Sequence, residues 1–331
     1  VDGAHVAQLT GQDPAKVFKT LVTQGALYLN KGILAGALGI FLVFGFLTEF
    51  KFWGRANVIN ILRITSLDSI AAFGVTLIII TGGIDLSVGA LMACASTYCA
   101  LLISNGLHPA GALLVGVLIA TVFGAINGGI VANTKIPPFI VTLGTMNIGR
   151  GIAYTCSAGT PIRISGDFGE IGNGYLMNTI PYPIIYTAVI LAITYVLLNK
   201  TKFGREVYAI GGNAEAARFS GINSKKVIWI VYTFAGFLYG IYGVISCSRL
   251  YSGQPTLGQG SELTAIAAAV VGGTSMSGGV GRIGATFIGA LIMDLLSSGL
   301  NFMNVPFYWQ YVCQGVVVLG AVFVDLQIKK K

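Results

Sequence analysis

An all-α polytopic membrane protein of about ten transmembrane helices, some of them broken, is the fold class that this sequence predicts. Three observations carry it. Of 331 residues, 54% are hydrophobic and 10% charged, with a mean hydropathy of +0.79, which already places the chain among integral membrane proteins. The apolar residues fall into runs of the length that a ~30 Å hydrocarbon core demands. Forty-six glycines fit close helix packing in lipid, where small residues let backbones approach.

Residues 1–30 read as a cytoplasmic arm, loosely ordered or amphipathic, with Lys16 and Lys19 among Val17, Phe18, Leu21 and Val22 at helical spacing. They lack a basic start leading straight into an apolar run, so no cleavable signal peptide is expected. The transmembrane domain covers 31–326, with a first span at roughly 31–50. An interfacial or re-entrant stretch with Trp53, Arg55 and Arg63 follows. The second span ends near Thr81 and the third covers about 86–103. The fourth lies near 110–132, the fifth at 139–156 and the sixth at 183–198. A polar connector, 199–226, precedes the seventh (227–246), eighth (263–280), ninth (284–300) and tenth (307–325) spans, and 327–331 form a basic tail.

Orientation follows from charge. The connector carries Lys200, Lys202, Arg205, Arg218, Lys225 and Lys226 against Glu206 and Glu215, and a basic excess beside membrane spans marks the cytoplasmic side. With ten crossings both termini are cytoplasmic, and only Lys51, Arg55, Arg63, Arg163 and Arg249 fall outside. A weak parallel between Gly124–Met146 and Gly289–Tyr311 suggests inverted repeats of spans 2–5 and 7–10.

Several function classes drop out. The net charge of +8 sits at span ends instead of on one face, so it reads as topology and not as nucleic-acid binding. Cys94, Cys99, Cys156, Cys247 and Cys313 are scattered on or near apolar segments without a CxxC pair, as small apolar fillers are. There is no GxxxxGK[ST], so the chain cannot cradle ATP phosphates itself, and any ATP-driven function needs a partner. GVGRIG (Gly279 to Gly284) fits a dinucleotide fingerprint by pattern only, since it lies between two membrane segments. His5 and His108 are isolated, and no catalytic or metal-ligating constellation is visible. An enzyme is therefore not expected, nor any cofactor bound by this chain.

Two glycine breaks interrupt the spans. At Gly82-Gly83-Ile84-Asp85-Leu86-Ser87, paired glycines cannot hold a helix, and Asp85 with Ser87 can cap the next one. Irregular backbone survives in a membrane only where protein or a water-filled cavity satisfies it. The break thus reads either as a capped turn or as a pathway lining. The second break, Gly272 to Gly279, reads as a cytoplasmic turn anchored by Arg282. Ionisable residues in spans are functional suspects. Those identified are Asp85, Arg150, which can snorkel outward, and Asp294, which can pair with a neighbouring helix. Asn127, Thr142, Asn147 and Gln310 join Asp85 and Ser87 as pathway candidates, because their side chains can bond hydroxyl groups; interhelical glue is the competing reading. The polar segment Arg249–Glu262 reads as an outside loop.

Within the connector, Asn213 to Gly221 reads as a short helix: Asn213 as N-cap, an alanine-rich interior and Gly221 as stop. Here GGNAEAARFSGI (Gly211 to Ile222) resembles the coupling loop of ABC-importer permeases of the ribose/galactose/xylose type. TGGIDLSVG (Thr81 to Gly89), PPFIVTLGTM (Pro137 to Met146), ELTAIAAAVVGGTSMSGGVGRIG (Glu262 to Gly284) and NVPFYWQY (Asn304 to Tyr311) extend the likeness over most of the chain from about Ser66 onward.

The resemblance implies a permease subunit of the bacterial inner membrane that moves a monosaccharide inward by alternating access. It implies a cytoplasmic ABC ATPase holding ATP and Mg, a periplasmic sugar-binding protein and a second permease copy or sister permease. Gly212, Asn213, Glu215, Ala216, Arg218, Phe219, Ser220 and Gly221 would then form the ATPase-coupling element. The alternative is an ion-coupled secondary transporter of a small polar solute, which shares broken helices and inverted repeats.

Overall fold

The computed structural model describes residues 32–165 and 167–329; the predicted arm at 1–30 and the last two lysines of the tail lie outside them. Among the described residues most are helical. The strands are two-residue pairs, Ile162–Arg163 with Ser252–Gly253 and Tyr175–Leu176 with Ile180–Pro181, so the all-α class stands.

In chain order the helices are α1 (Gly32–Leu47), α2 (Arg55–Ile80), α3 (Val88–Ser104), α4 (Pro109–Asn133), α5 (Pro138–Ser157), α6 (Glu170–Asn173), α7 (Tyr182–Lys200), α8 (Lys202–Gly212), α9 (Ala214–Phe219), α10 (Ser224–Leu250), α11 (Ser261–Val271), α12 (Ile283–Phe302) and α13 (Phe307–Lys329). Proline starts α4 and α5, where its missing N–H would have no partner in any case. Each predicted span overlaps one of these helices, though not always over its full length. Five of them, α2, α4, α7, α10 and α12, are long and apolar enough to cross a bilayer by length and composition.

Three expectations need correction. The eighth span was expected at 263–280, but helix stops at Val271. Gly273, Gly278 and Gly279 take positive φ, a region that no right-handed helix uses. Eleven residues rise only about 16 Å, so α11 is a half-helix. The interfacial stretch is shorter than expected, because Arg55 and Arg63 already belong to α2. The segment after Arg249 is not a free loop. It pairs as a strand with Ile162–Arg163 and tucks so closely against α3 that a Cβ on Gly89 would stand 1.8 Å from the Gly258 carbonyl.

The core is built on small residues. Gly116, Ala120, Gly124 and Gly128 recur every fourth residue on one face of α4 and meet α10 at Gly236, Gly240 and Tyr232. A Cβ on Gly124 would lie 2.9 Å from the Gly236 Cα, so the two backbones are in contact. On the other face of α4, Leu114, Leu118, Val122 and Ile126 are exposed. Small residues inside and large apolar ones outside is the pattern lipid selects, since lipid does not penalise exposed leucine. Around this pair α2 and α3 are buried almost throughout. α1 forms a satellite contact through Ala37 and Phe44 against Phe52, Ile61, Ile292 and Leu295.

Candidate coupling helix and polar cavity

The connector contains two helices where the sequence suggested one. Thr201 accepts the Gly204 N–H at 3.2 Å and starts α8. One face of α8 buries Val207 and Ile210. Its Tyr208 hydroxyl donates to the Gly281 carbonyl at 2.7 Å. Burial pushes this phenol up to about 12, so it remains a donor at any pH below that.

The second helix, α9, has the expected cap: Asn213 Oδ1 accepts the Ala216 N–H at 2.9 Å. It ends in a Schellman pattern, with Ile222 N–H to Ala217 O at 3.1 Å, Gly221 N–H to Arg218 O at 3.0 Å and Gly221 at φ 80°. Ala217 alone is buried. Gly212, Asn213, Glu215, Ala216, Arg218, Phe219, Ser220 and Gly221 are all exposed, and Phe219 is 81% exposed. A helix this short, closed at both ends and carrying an outward phenylalanine under a guanidinium 5.5 Å away, is a protrusion with an apolar tip.

The root of that protrusion touches both helix breaks. A Cβ on Gly211 would stand 1.7 Å from the Ile80 carbonyl and 2.5 Å from the Gly279 nitrogen. The Gly279 N–H itself donates to Ile80 O at 2.9 Å. Three backbones therefore meet without intervening side chains: the end of α2, the turn before α12 and the end of α8. The second break is thus packed against the connector, and Arg282 sits at the N-cap of α12.

From this junction the first break leads to a sealed polar cluster. Asp85 Oδ1 accepts the Ser87 N–H at 2.8 Å and the Ser87 hydroxyl at 2.6 Å. Asn127 Nδ2 reaches the Ser87 Oγ at 3.1 Å, and Thr142 Oγ1 accepts the Leu86 N–H at 3.1 Å. Asp85, Ser87, Asn127 and Thr142 are at most 2% exposed. Four of the six pathway candidates thus come together, but they line no open cavity in this conformation; they tie the break to α4 and α5. Asn147 lies apart on the exposed face of α5, donating to Leu143 O at 3.0 Å.

Gln310 also stands apart, in the wall of a polar cavity of about 250 Å³ formed with Gln259, Ser261, Thr264, Tyr311 and Gln314. Gln310 Nε2 donates to Asn301 Oδ1 at 3.2 Å and to Val305 O at 3.1 Å; Gln314 Nε2 donates to Ser297 Oγ at 3.0 Å. Both amide oxygens are left as acceptors among the described residues. Aromatic faces beside fixed amides suit a neutral polyhydroxylated solute.

Ser261 and Thr264 also line a void of about 10 Å³, room for one water, closed by Asp68 and Asp294. Asp68 accepts the Tyr242 hydroxyl at 2.9 Å, and Asp294 Oδ2 is buried without a partner. The neighbour of Asp294 is therefore another acid. Asp68 was missed in the sequence, although an acid at the head of a long apolar run is itself the signal. Arg150 does not snorkel. Its Nη1 donates to Pro255 O at 2.6 Å and Leu257 O at 2.8 Å, clasping the tucked segment.

Residues 57–322 match the model of the branched-chain amino acid transport system / permease component family. The ribose import permease protein RbsC of Bacillus subtilis (strain 168) is 44% identical over 272 residues, covering 81% of this chain and 84% of the relative. The D-allose transport system permease protein AlsC of Escherichia coli (strain K12) is 38% identical over 290 residues, covering 87% and 89%. The xylose transport system permease protein XylH of Haemophilus influenzae is 34% identical over 350 residues, covering 87% and 93%. No solved structure matches the chain.

Proposed function

The chain belongs to the family of branched-chain amino acid transport system permease components, and on that premise we propose that it is the multi-pass permease subunit of an ATP-driven importer carrying a monosaccharide into the cytoplasm. The substrate class rests on relatives named for ribose, allose and xylose. The observation that carries the mechanism is the exposed, doubly capped α9 rooted by bare backbone contact to both helix breaks. In this reading α9 docks a cytoplasmic ATPase dimer that holds ATP and Mg. Glu215 and Arg218 meet polar groups of its groove, and Phe219 is the apolar anchor.

Closure of the ATPase pushes α8 and α9 as one body. The push passes through Gly211 into the ends of α2 and of the turn before α12, and neighbouring helices rock as rigid units. A second permease copy or sister permease completes the pathway, and a periplasmic sugar-binding protein delivers solute from the opposite side. The membrane is the bacterial inner membrane, with about ten crossings, inverted repeats of spans 2–5 and 7–10, and both termini cytoplasmic. The first test is co-purification: a cytoplasmic ATPase should accompany the intact chain and be lost when Glu215 and Arg218 are exchanged in charge. Uptake that persists without ATP hydrolysis and follows an ion gradient would overturn the reading in favour of a secondary carrier.

The polar cavity is the proposed solute wall, with Gln310 facing it and Asn147 on the exposed face of α5 as a further candidate. Replacing Gln310 and Gln314 by leucine removes two acceptors worth about 0.5–1.5 kcal/mol each. Uptake rate at low solute should fall about tenfold with co-purification of the ATPase unchanged; unaltered uptake would remove this wall from the pathway.

The sealed cluster has a different role, as a joint. Asp85→Ala orphans the Ser87 donors in a buried site, at about 1–3 kcal/mol per unsatisfied group. The expected result is a lower thermal midpoint in detergent by several degrees. A stable variant with altered solute preference would instead return Asp85 to the pathway lining.

A further inference from the structure

The end of the bundle opposite α9 carries a basic cluster that neither transport nor topology accounts for. Basic residues on that side are scarce, as charge bias requires, yet three arginines converge there. Arg55 and Arg63 line an open pocket of about 570 Å³ with Ala56, Ile59, Asn60, Tyr175 and Asn178. Arg249 reaches its edge by donating from Nη2 to Asn60 Oδ1 at 3.1 Å. Among the described residues the ion pairs are Lys51–Glu49 and Lys202–Glu206, so none of the three arginines is paired with an acid. The nearby Asp68 accepts from Tyr242 and faces the interior void.

Arg63 is held in place and left incomplete. Its guanidinium lies 4.6 Å over the Tyr175 ring and Nη2 donates to Asn173 O at 3.2 Å, while its buried Nε has no partner. Like charges gathered around an open pocket, with no acid paired to any of them, call for an anion. A guanidinium matches phosphate oxygens in a two-pronged geometry.

Depth decides which anion. Arg63 precedes Ile80 by seventeen residues on one helix, about 26 Å along its axis, close to the ~30 Å of hydrocarbon that separates the two headgroup layers. A side chain at that level extends into the phosphate layer, beneath the surface that a docked soluble protein would touch. Ala56 and Ile59 give the pocket an apolar flank for the glycerol and first methylenes.

We propose that Arg55, Arg63 and Asn60, with Arg249 behind them, form a seat for the phosphate of an anionic phospholipid in the leaflet farther from α9. Basic pockets between spans recognise such headgroups by this chemistry.

The test uses the full chain, delipidated in detergent, with phosphatidylglycerol, phosphatidylcholine or inorganic phosphate added back. Bound lipid is counted by native mass spectrometry and stability followed as a thermal midpoint. Phosphatidylglycerol should be retained and raise the midpoint, and the affinity should fall at least about tenfold in R55Q/R63Q. Because R63Q also loosens the contact to Asn173, R55Q alone serves as a second variant; Arg55 is exposed and its loss should weaken binding in an unchanged fold. Equal retention of phosphatidylcholine, unchanged phosphatidylglycerol binding in both variants, or stabilisation by inorganic phosphate alone would each overturn the proposal. Transport need not be measured, so the outcome stands apart from the fate of the importer reading.

Discussion

Exchanging the charges of Glu215 and Arg218 in a chain that also carries Phe219→Ala is expected to drive ATP-dependent solute uptake to background while the protein still folds and inserts. All three side chains are exposed and, in this chain, touch little beyond themselves, so the fold has little to lose. A docked partner loses a good deal. Interface aromatics and arginines at the centre of a contact typically cost about 2 kcal/mol or more each on truncation, roughly thirtyfold in affinity per residue. The measurements are ATPase co-purification and uptake into proteoliposomes, with the thermal midpoint as the control for folding. Normal uptake by the triple variant would remove α9 from the coupling path.

A larger effect on the fold itself is expected at Gly211. Valine there would place a Cβ 1.7 Å from the Ile80 carbonyl, far inside contact distance, and both opposing atoms are backbone. No rotamer relieves that clash, so α8 must separate from the end of α2. The expected outcome is loss of monodisperse protein in size-exclusion chromatography, or, if the chain survives, an ATPase that turns over without moving solute. The adjacent glycine separates this contact from a general need for flexibility: a Cβ on Gly212 meets no atom within 4 Å. Gly212→Ala should therefore leave the thermal midpoint within about a degree, or raise it slightly, because alanine favours helix by up to about 1 kcal/mol. Equal damage from both substitutions would show that the tight junction is not what matters.

These two positions also mark how far the sequence could be read. The capped helix at Asn213–Gly221 was legible because its signals are local: a cap residue, alanines and a terminal glycine act within one turn of each other. The meeting of Gly211 with Ile80 and Gly279 was not, since residues far apart in sequence came together and a glycine carries no mark of what approaches it. Among the polar candidates, the grouping of Asp85 and Ser87 with Asn127 and Thr142 could not be foreseen from three separate stretches. Nor could their burial. Gln310 was legible as a polar residue in an apolar run, and Gln314 lies one turn further along the same helix, but Gln259 comes from a different segment. Asp68 carried its own signal and was passed over. Arg150 was read as snorkelling because nothing local reveals that the segment after Arg249 folds back to meet it.

Composition, run length and charge bias determined by themselves that this chain is helical and belongs in a membrane, and local cap signals that its connector carries a short helix. In lipid every backbone must satisfy itself, so hydropathy alone leaves little other than helix. Tertiary packing decided which breaks meet, which polar groups are sealed and where a cavity opens. Those outcomes depend on small residues at crossings between distant helices, where the free energy lies in contacts that no single segment contains.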